Sequence, residues 1–219
     1  MNHGNHIFLN IMYLVALLLL TLIIFSKKSN ATLGDTSVCN NVDSRCYDVI
    51  SNYNNTQEAS EVLAKINLFC IDFIEHLRNK YVYGGYSGNG RRAVDLLLLN
   101  YNPDSIVENN PINDVNTSYV SGKGKVFALC LREKLSGKNN FHSINELKFV
   151  ILHELAHMAN PTFGHDVSFW TTFKFFITEA HVAGMYMPID HSVENFNYCS
   201  LLITYSPYFS PELADWSEN

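Results

Sequence analysis

Ser143-Ile144-Asn145-Glu146-Leu147-Lys148-Phe149-Val150-Ile151-Leu152-His153-Glu154-Leu155-Ala156-His157-Met158-Ala159-Asn160-Pro161 carries its own start signal, its own stop signal and a reactive centre. Ser143 followed three residues later by Glu146 has the form of a capping box, in which a hydroxyl and a carboxylate satisfy the backbone donors left open at a helix start. Leu147, Ile151, Leu155 and Met158 recur at spacings of four, four and three, and Val150 and Leu152 widen the stripe. A mostly buried helix is therefore predicted from about Ile144. Asn160-Pro161 ends it, because the residue before a proline is pushed out of the α region.

Within this helix, His153-Glu154-Leu155-Ala156-His157 is an H-E-x-x-H run. Residues four apart lie about 40° apart around a helix of 3.6 residues per turn, so both imidazoles can face one metal ion. Glu154, about 100° from His153, can act on a water at that ion without ligating it. The expected cofactor is Zn2+, with His153 and His157 as ligands and Glu154 as the catalytic base. A single His in such a helix reads as a hydrogen-bonded core residue; a pair flanking an acid favours metal.

A hydrolytic zinc takes three protein ligands and keeps one position for water. His165 is the expected third ligand, because Asn160-Pro161-Thr162-Phe163-Gly164 lets the chain reverse over the metal. Glu179, on the apolar helical segment that follows, is the alternative ligand. A donor for the developing oxyanion is also expected, and His181, Tyr186 and Tyr198 stand as candidates.

With His165-Asp166 and Phe169-Trp170 behind it, and an upstream strand reading Gly124-Lys125-Val126-Phe127-Ala128-Leu129-Cys130-Leu131-Arg132, the motif resembles the WLM and SprT-like zinc metallopeptidases. More specifically, it resembles the membrane-anchored WLM-like metallopeptidases of large DNA viruses. The resemblance covers about residues 57 to 205. It implies an α+β fold, a minimal zincin-like metallopeptidase domain in which a small sheet packs on the H-E-x-x-H helix, and zinc-dependent hydrolysis of peptide bonds. Seven residues separate His157 from His165, a longer interval than in the cellular WLM proteases. Phe169, Trp170, Phe173, Phe176 and Ile177 follow helical spacing and read as core packing. The strand Val126 to Leu131 has two readings: an edge strand whose backbone pairing would hold a peptide in extended form, or an ordinary core strand.

The rest of the chain divides by composition. Residues 1–6 form a short tail, and Ile7 to Phe25 is an uncharged apolar run long enough to cross a bilayer. No Lys or Arg precedes it and no A-x-A site follows, which favours a retained transmembrane anchor, and hence a single-pass membrane location, over a cleaved signal. Lys27 and Lys28 favour a cytosolic domain. The Asn-x-Ser/Thr sequons at Asn30, Asn54 and Asn116 and the close pair Cys39 and Cys46 favour the opposite side. Residues 26–56, rich in Asn, Ser, Asp and Thr, read as a stalk, and residues 57–219 as the metallopeptidase domain, a length that supports one core.

That domain opens with a helix predicted near Gln57 to Tyr81, which carries Val62, Ile66, Phe69, Phe73 and Leu77 on one face. The glycines from Gly84 to Gly90 lack the preceding strand of a phosphate loop and read as a turn. Asn100 to Gly122 reads as a surface excursion at the cleft rim. Cys70 and Cys130 read as buried thiols, and the absence of C-x-x-C spacing argues against cysteine ligation.

With 15 Lys and Arg against 21 Asp and Glu, the formal net charge is −6. That sign opposes phosphate binding, so no nucleic acid is expected, and a protein or peptide substrate is. A catalytically inactive, membrane-anchored scaffolding protein with a fold-bracing zinc is the alternative. A deformylase-like amidase lacks its Cys ligand motif here.

Overall fold

The structure, a computed structural model, describes residues 33–110, 117–133 and 140–217. The chain opens with strands β1 (Thr36–Cys39) and β2 (Cys46–Val49), followed by helices α1 (Thr56–Val82) and α2 (Gly88–Asn100). Short strands β3 (Ile106–Glu108), β4 (Tyr119–Ser121) and β5 (Val126–Leu129) come next. Helices α3 (Ile144–Ala159) and α4 (Val167–Val182), the hairpin β6 (Phe196–Tyr198) and β7 (Leu201–Ile203), and a 3-10 turn over Pro207–Phe209 complete the α+β fold.

The first five strands form one mixed sheet in the order β1-β2-β3-β5-β4. β2 pairs with β3, and β3 with β5, in parallel; the outer pairs β1–β2 and β5–β4 are antiparallel. A parallel neighbour needs a long crossover, and α1 with α2 supplies it between β2 and β3. α1 buries Leu63, Ile66, Phe69, Cys70, Phe73 and Leu77, spaced three and four apart, and packs on β1, β2 and β3.

α3 occupies the centre, in contact with α1, α2, α4 and β4. It buries Leu147, Ile151, Leu152, Leu155 and Met158, and each such side chain contributes about 1.5–3 kcal/mol on leaving water. Its capping box is formed: Glu146 N donates to Ser143 Oγ at 3.2 Å and Ser143 N donates to Glu146 Oε2 at 2.8 Å. At the other end Asn160 is extended, with ψ 135°, as the following proline requires.

Several sequence expectations need correction. Among the described residues no helix is long and apolar enough to cross a membrane, so the transmembrane helix and the single-pass location have no support in the fold. α1 has the length, with 27 residues, but carries Glu58, Glu61, Lys65, Asp72, Glu75, Arg78 and Lys80. α3 and α4 are apolar but have 16 residues each, short of the ~20 needed to span. Residues 7–25, where the sequence places the anchor, lie outside the described residues, as do Asn30 and Asn116.

Part of the predicted stalk belongs to the sheet, since β1 and β2 arise from it and β2 buries Tyr47 and Val49 on alternate positions. The predicted excursion from Asn100 to Gly122 likewise contains β3 and β4. Three- and four-residue strands are too short to show a periodicity of their own. Of the two readings of Val126 to Leu131, the structure selects the core strand over the edge strand. β5 lies between β3 and β4 with Phe127, Ala128 and Leu129 all buried, as a strand covered on both faces must be, and β1 and β4 are the edge strands.

Cys130 is not a free thiol: it forms a disulfide with Cys199, while Cys39 and Cys46, paired across the β1–β2 register, form a second. Cys70 is free and buried. In the loop-closure account, a cross-link over 69 residues stabilises by about 4 kcal/mol and one over 7 by about 2. Urea titration of the Cys130→Ser/Cys199→Ser double variant is expected to show roughly twice the loss of Cys39→Ser/Cys46→Ser. The opposite order would contradict the pairing.

Candidate metal centre

One turn of α3 separates His153 from His157, and their Nε2 atoms stand 3.2 Å apart. His165 Nε2 stands 3.1 Å from His153 Nε2, and one ligand atom from each of the three rings lies within 4.8 Å of the others. Nitrogens held about 2.0–2.1 Å from a tetrahedral zinc lie about 3.3 Å from one another, so the donor set fits that ion. Burial drives the His153 pKa well below its ordinary value, helped by the charges of His157 and His165. Burial, then His165 and Lys123, brings His157 down to about 4. At neutral pH the rings are uncharged and their lone pairs can serve a metal.

The loop that returns His165 is stitched by short-range bonds. Gly164 takes φ +89°, a left-handed conformation that a side chain would strain. Asn160 Nδ2 donates to Thr162 Oγ1 at 2.6 Å, and Thr162 Oγ1 donates to Asp166 Oδ2 at 2.7 Å. Ser168 Oγ donates to Asn160 Oδ1 at 2.8 Å, and Asp166 caps α4 by accepting from Phe169 N at 2.9 Å.

From the β4–β5 turn, Lys123 Nζ donates to His157 O at 3.2 Å, Asn160 O at 2.6 Å and Thr162 O at 3.4 Å. It satisfies the orphan carbonyls at the C-terminus of α3, where a cation is also favoured by the helix dipole. Gly124 in the same turn has φ +97°, and a Cβ there would meet Asn100 O at 2.1 Å, which is how the turn comes so near the helices.

Phe169 and Phe173 do more than fill the core. The Phe169 ring stacks on His157 at 4.2 Å and lies 4.9 Å from His153, while Phe173 meets His153 edge-on at 5.2 Å. Trp170 lies 5.6 Å from His165. These rings fix the imidazole planes, a role that helical spacing alone does not distinguish from ordinary packing.

Glu154 is buried and lines the same cleft as the imidazoles. Burial pushes its pKa up to about 8, against a lowering by the Val120 N–H that donates to it from the edge strand β4. Its Oε2 has no hydrogen-bond partner. An orphaned carboxylate oxygen in a buried site is costly for structure alone and is the state expected of a proton acceptor.

Glu179 is turned to a different task. It is fully buried and accepts from Lys80 Nζ at 2.7 Å and Tyr86 OH at 2.8 Å, with His76 Nε2 at 3.2 Å. Burial raises its pKa, and the bonds from Lys80 and Tyr86 overcome that and hold it below the ordinary carboxylate value. It is absent from the three-histidine group and does not line the cleft. His181 Nδ1 faces Tyr186 O at 3.3 Å, and neither residue lines the cleft. Tyr198 does line it, but donates its one hydroxyl proton to Cys130 O at 2.7 Å, so His181 and Tyr186 are set aside by position and Tyr198 by its bond.

Cys130, His142 and Cys199 also lie close enough to hold a metal, with His142 Nε2 3.3 Å from Cys199 Sγ. The two cysteines are spent in their disulfide and offer no thiolate.

The sequence placed His153, Glu154, His157 and His165 in one site, and the structure brings those four together. Lys123, Val120 and Asn160 were missed as parts of it. Asn160-Pro161 signalled only a helix end, and Lys123-Gly124-Lys125 only a small cluster of charge.

The chain is 32% identical over 205 residues to an uncharacterized protein of Acanthamoeba polyphaga mimivirus, an alignment covering 91% of this chain and 96% of the relative. It is 31% identical over 109 residues to an uncharacterized protein of Invertebrate iridescent virus 6, covering 50% of this chain and 60% of the relative. A third, from Invertebrate iridescent virus 3, is 35% identical over 121 residues, covering 49% and 73%. No family model matches the chain, and no solved structure matches it.

Proposed function

We propose that this chain, which belongs to the family of the mimivirus protein, is a zinc-dependent metallopeptidase of the WLM and SprT-like kind. One observation carries the reading: a buried carboxylate with an unpartnered oxygen shares a cleft with three converging, uncharged imidazoles. His153, His157 and His165 would hold the ion through Nε2. When bound, zinc acidifies a water towards a pKa of about 7 and polarises a carbonyl.

The chain's own residues do the rest. Glu154 takes the proton of the attacking water at Oε2 and later returns it to the departing amine, so that water is added across the C–N bond with no net proton change. Burial, which raises the carboxyl above its ordinary range, makes it the stronger proton acceptor. The Val120 N–H orients the carboxylate, and Lys123 holds the end of α3 against the His165 loop.

A bracing zinc closes on four protein ligands, whereas this group has three members among the described residues and opens into the cleft, which favours hydrolysis over scaffolding. The test is metal analysis of the purified full chain together with cleavage of unstructured polypeptide. About one zinc per chain and chelator-sensitive cleavage are expected. Zinc without any cleavage would favour the scaffolding reading.

A further inference from the structure

The cleft beside the imidazoles has about 440 Å3 of space and one apolar end. Phe149 and Val150 line it from α3, three and four residues before His153, and Leu201 and Ile203 line it from β7. Residues two apart on a strand share a face, so Leu201 and Ile203 present one apolar wall. That wall is firmly held. Cys199 and Ser200, with φ of 47° and 74°, make the two-residue turn before it, Cys199 is bonded to Cys130, and Tyr198 OH donates to Cys130 O.

Lys123, Ser118, Thr162 and Tyr198, four polar side chains of the cleft, are already committed. Lys123 spends its ammonium on three backbone carbonyls and sits 4.7 Å from the Phe163 ring centre. Ser118 Oγ accepts from Cys130 N at 2.9 Å and is bonded to Tyr198 OH, and Thr162 Oγ1 donates to Asp166. Among the described residues, Glu154 is the one acidic residue lining the cleft. An acidic side chain entering here would meet the Glu154 carboxylate, and a basic one would compete for the proton acceptor.

We infer that the cleft selects peptides carrying a large apolar side chain, Leu, Ile, Met or Phe, beside the bond to be cleaved. The inference rests on the peptidase reading and adds its substrate class. Apolar pockets discriminate by about 10- to 200-fold per methylene at most, so Leu is expected to exceed Ala by at least about tenfold.

The test presents the full zinc-loaded chain with a randomised peptide library and maps the cleaved bonds by mass spectrometry. Leu, Ile, Met and Phe should be enriched at one position next to the cut, with Asp and Glu depleted. Leu201→Asp, at a half-exposed position that tolerates a charge, should lower cleavage at apolar sites about tenfold and raise it at Lys; Leu201→Met should keep the original preference. Binding is read separately by fluorescence anisotropy on the Glu154→Gln chain, where a Leu-bearing peptide should bind at least about tenfold more tightly than its Asp counterpart. Cleavage with no positional preference, or a preference unmoved by Leu201→Asp, overturns the inference. If no peptide in the library is cleaved, the peptidase reading fails, and the anisotropy ratio still decides whether the cleft is selective.

Discussion

Glu154→Gln is expected to leave about one zinc per chain and to lower peptide cleavage by roughly 10²–10⁴-fold, the usual contribution of a positioned acid–base group. Glutamine keeps the shape of the side chain and can still accept from the Val120 N–H, but it cannot carry a proton between water and amine. Since Glu154 is no part of the three-histidine group, zinc content should not follow activity down. Parallel loss of both would mean that Glu154 is a ligand.

The same variant has an opposite effect on stability once zinc is removed. Burial raises the carboxyl from its ordinary range to about 8, so the folded state prefers it protonated. Its contribution is most favourable below about pH 4.5 and is lost as pH rises towards 8, because the unfolded chain releases that proton more easily. Metal-free Glu154→Gln should therefore gain stability relative to the parent at pH 8 and above, and show no such gain near pH 4. Denaturant titrations at the two pH values check the sign.

His165→Ala is expected to weaken zinc binding by roughly 100-fold or more. Structural zinc sites hold about 10–16 kcal/mol over four ligands, so one ligand represents a large share. Competition with a chromophoric chelator measures the change. Glu179→Ala should keep the metal and instead lower folding stability by about 3 kcal/mol, at the lower end for breaking a buried ion pair because Lys80 retains some contact with water. The two variants thus separate along different observables. Loss of zinc in Glu179→Ala, with His165→Ala retaining it, would return Glu179 to the role of third ligand.

The arrangement explains why these two residues part company. Glu179 lies on α4 and is drawn to α1, where Lys80 and His76 stand one turn apart, and to Tyr86 beyond it. His165 precedes α4 by two residues, on a loop whose Asn160, Thr162 and Asp166 bond to one another. A carboxylate with three partners would have to give up those bonds to leave its pocket, whereas the imidazole has a loop shaped to present it.

The α3 helix, its capping box, its end at Asn160 and the two imidazoles on one side were legible in the residues themselves, because caps and helical periodicity act over three or four positions. The reversal through Gly164 was legible for the same reason, at a span of eight residues. The α+β class followed from the resemblance carried by those positions, but the transmembrane helix attached to it has no support among the described residues, where no helix has both the length and the apolarity.

What decided the remainder acts across long stretches of chain. Glu179 finds its partners 93 to 103 residues away, Cys130 pairs over 69, and Lys123 reaches carbonyls 34 to 39 residues on. β4 becomes the edge strand beside Glu154 only because β3, and not another strand, takes the far side of β5. No local periodicity encodes such pairings: they depend on which surfaces the packed core brings within hydrogen-bond reach, and that is settled when the whole domain closes around α3.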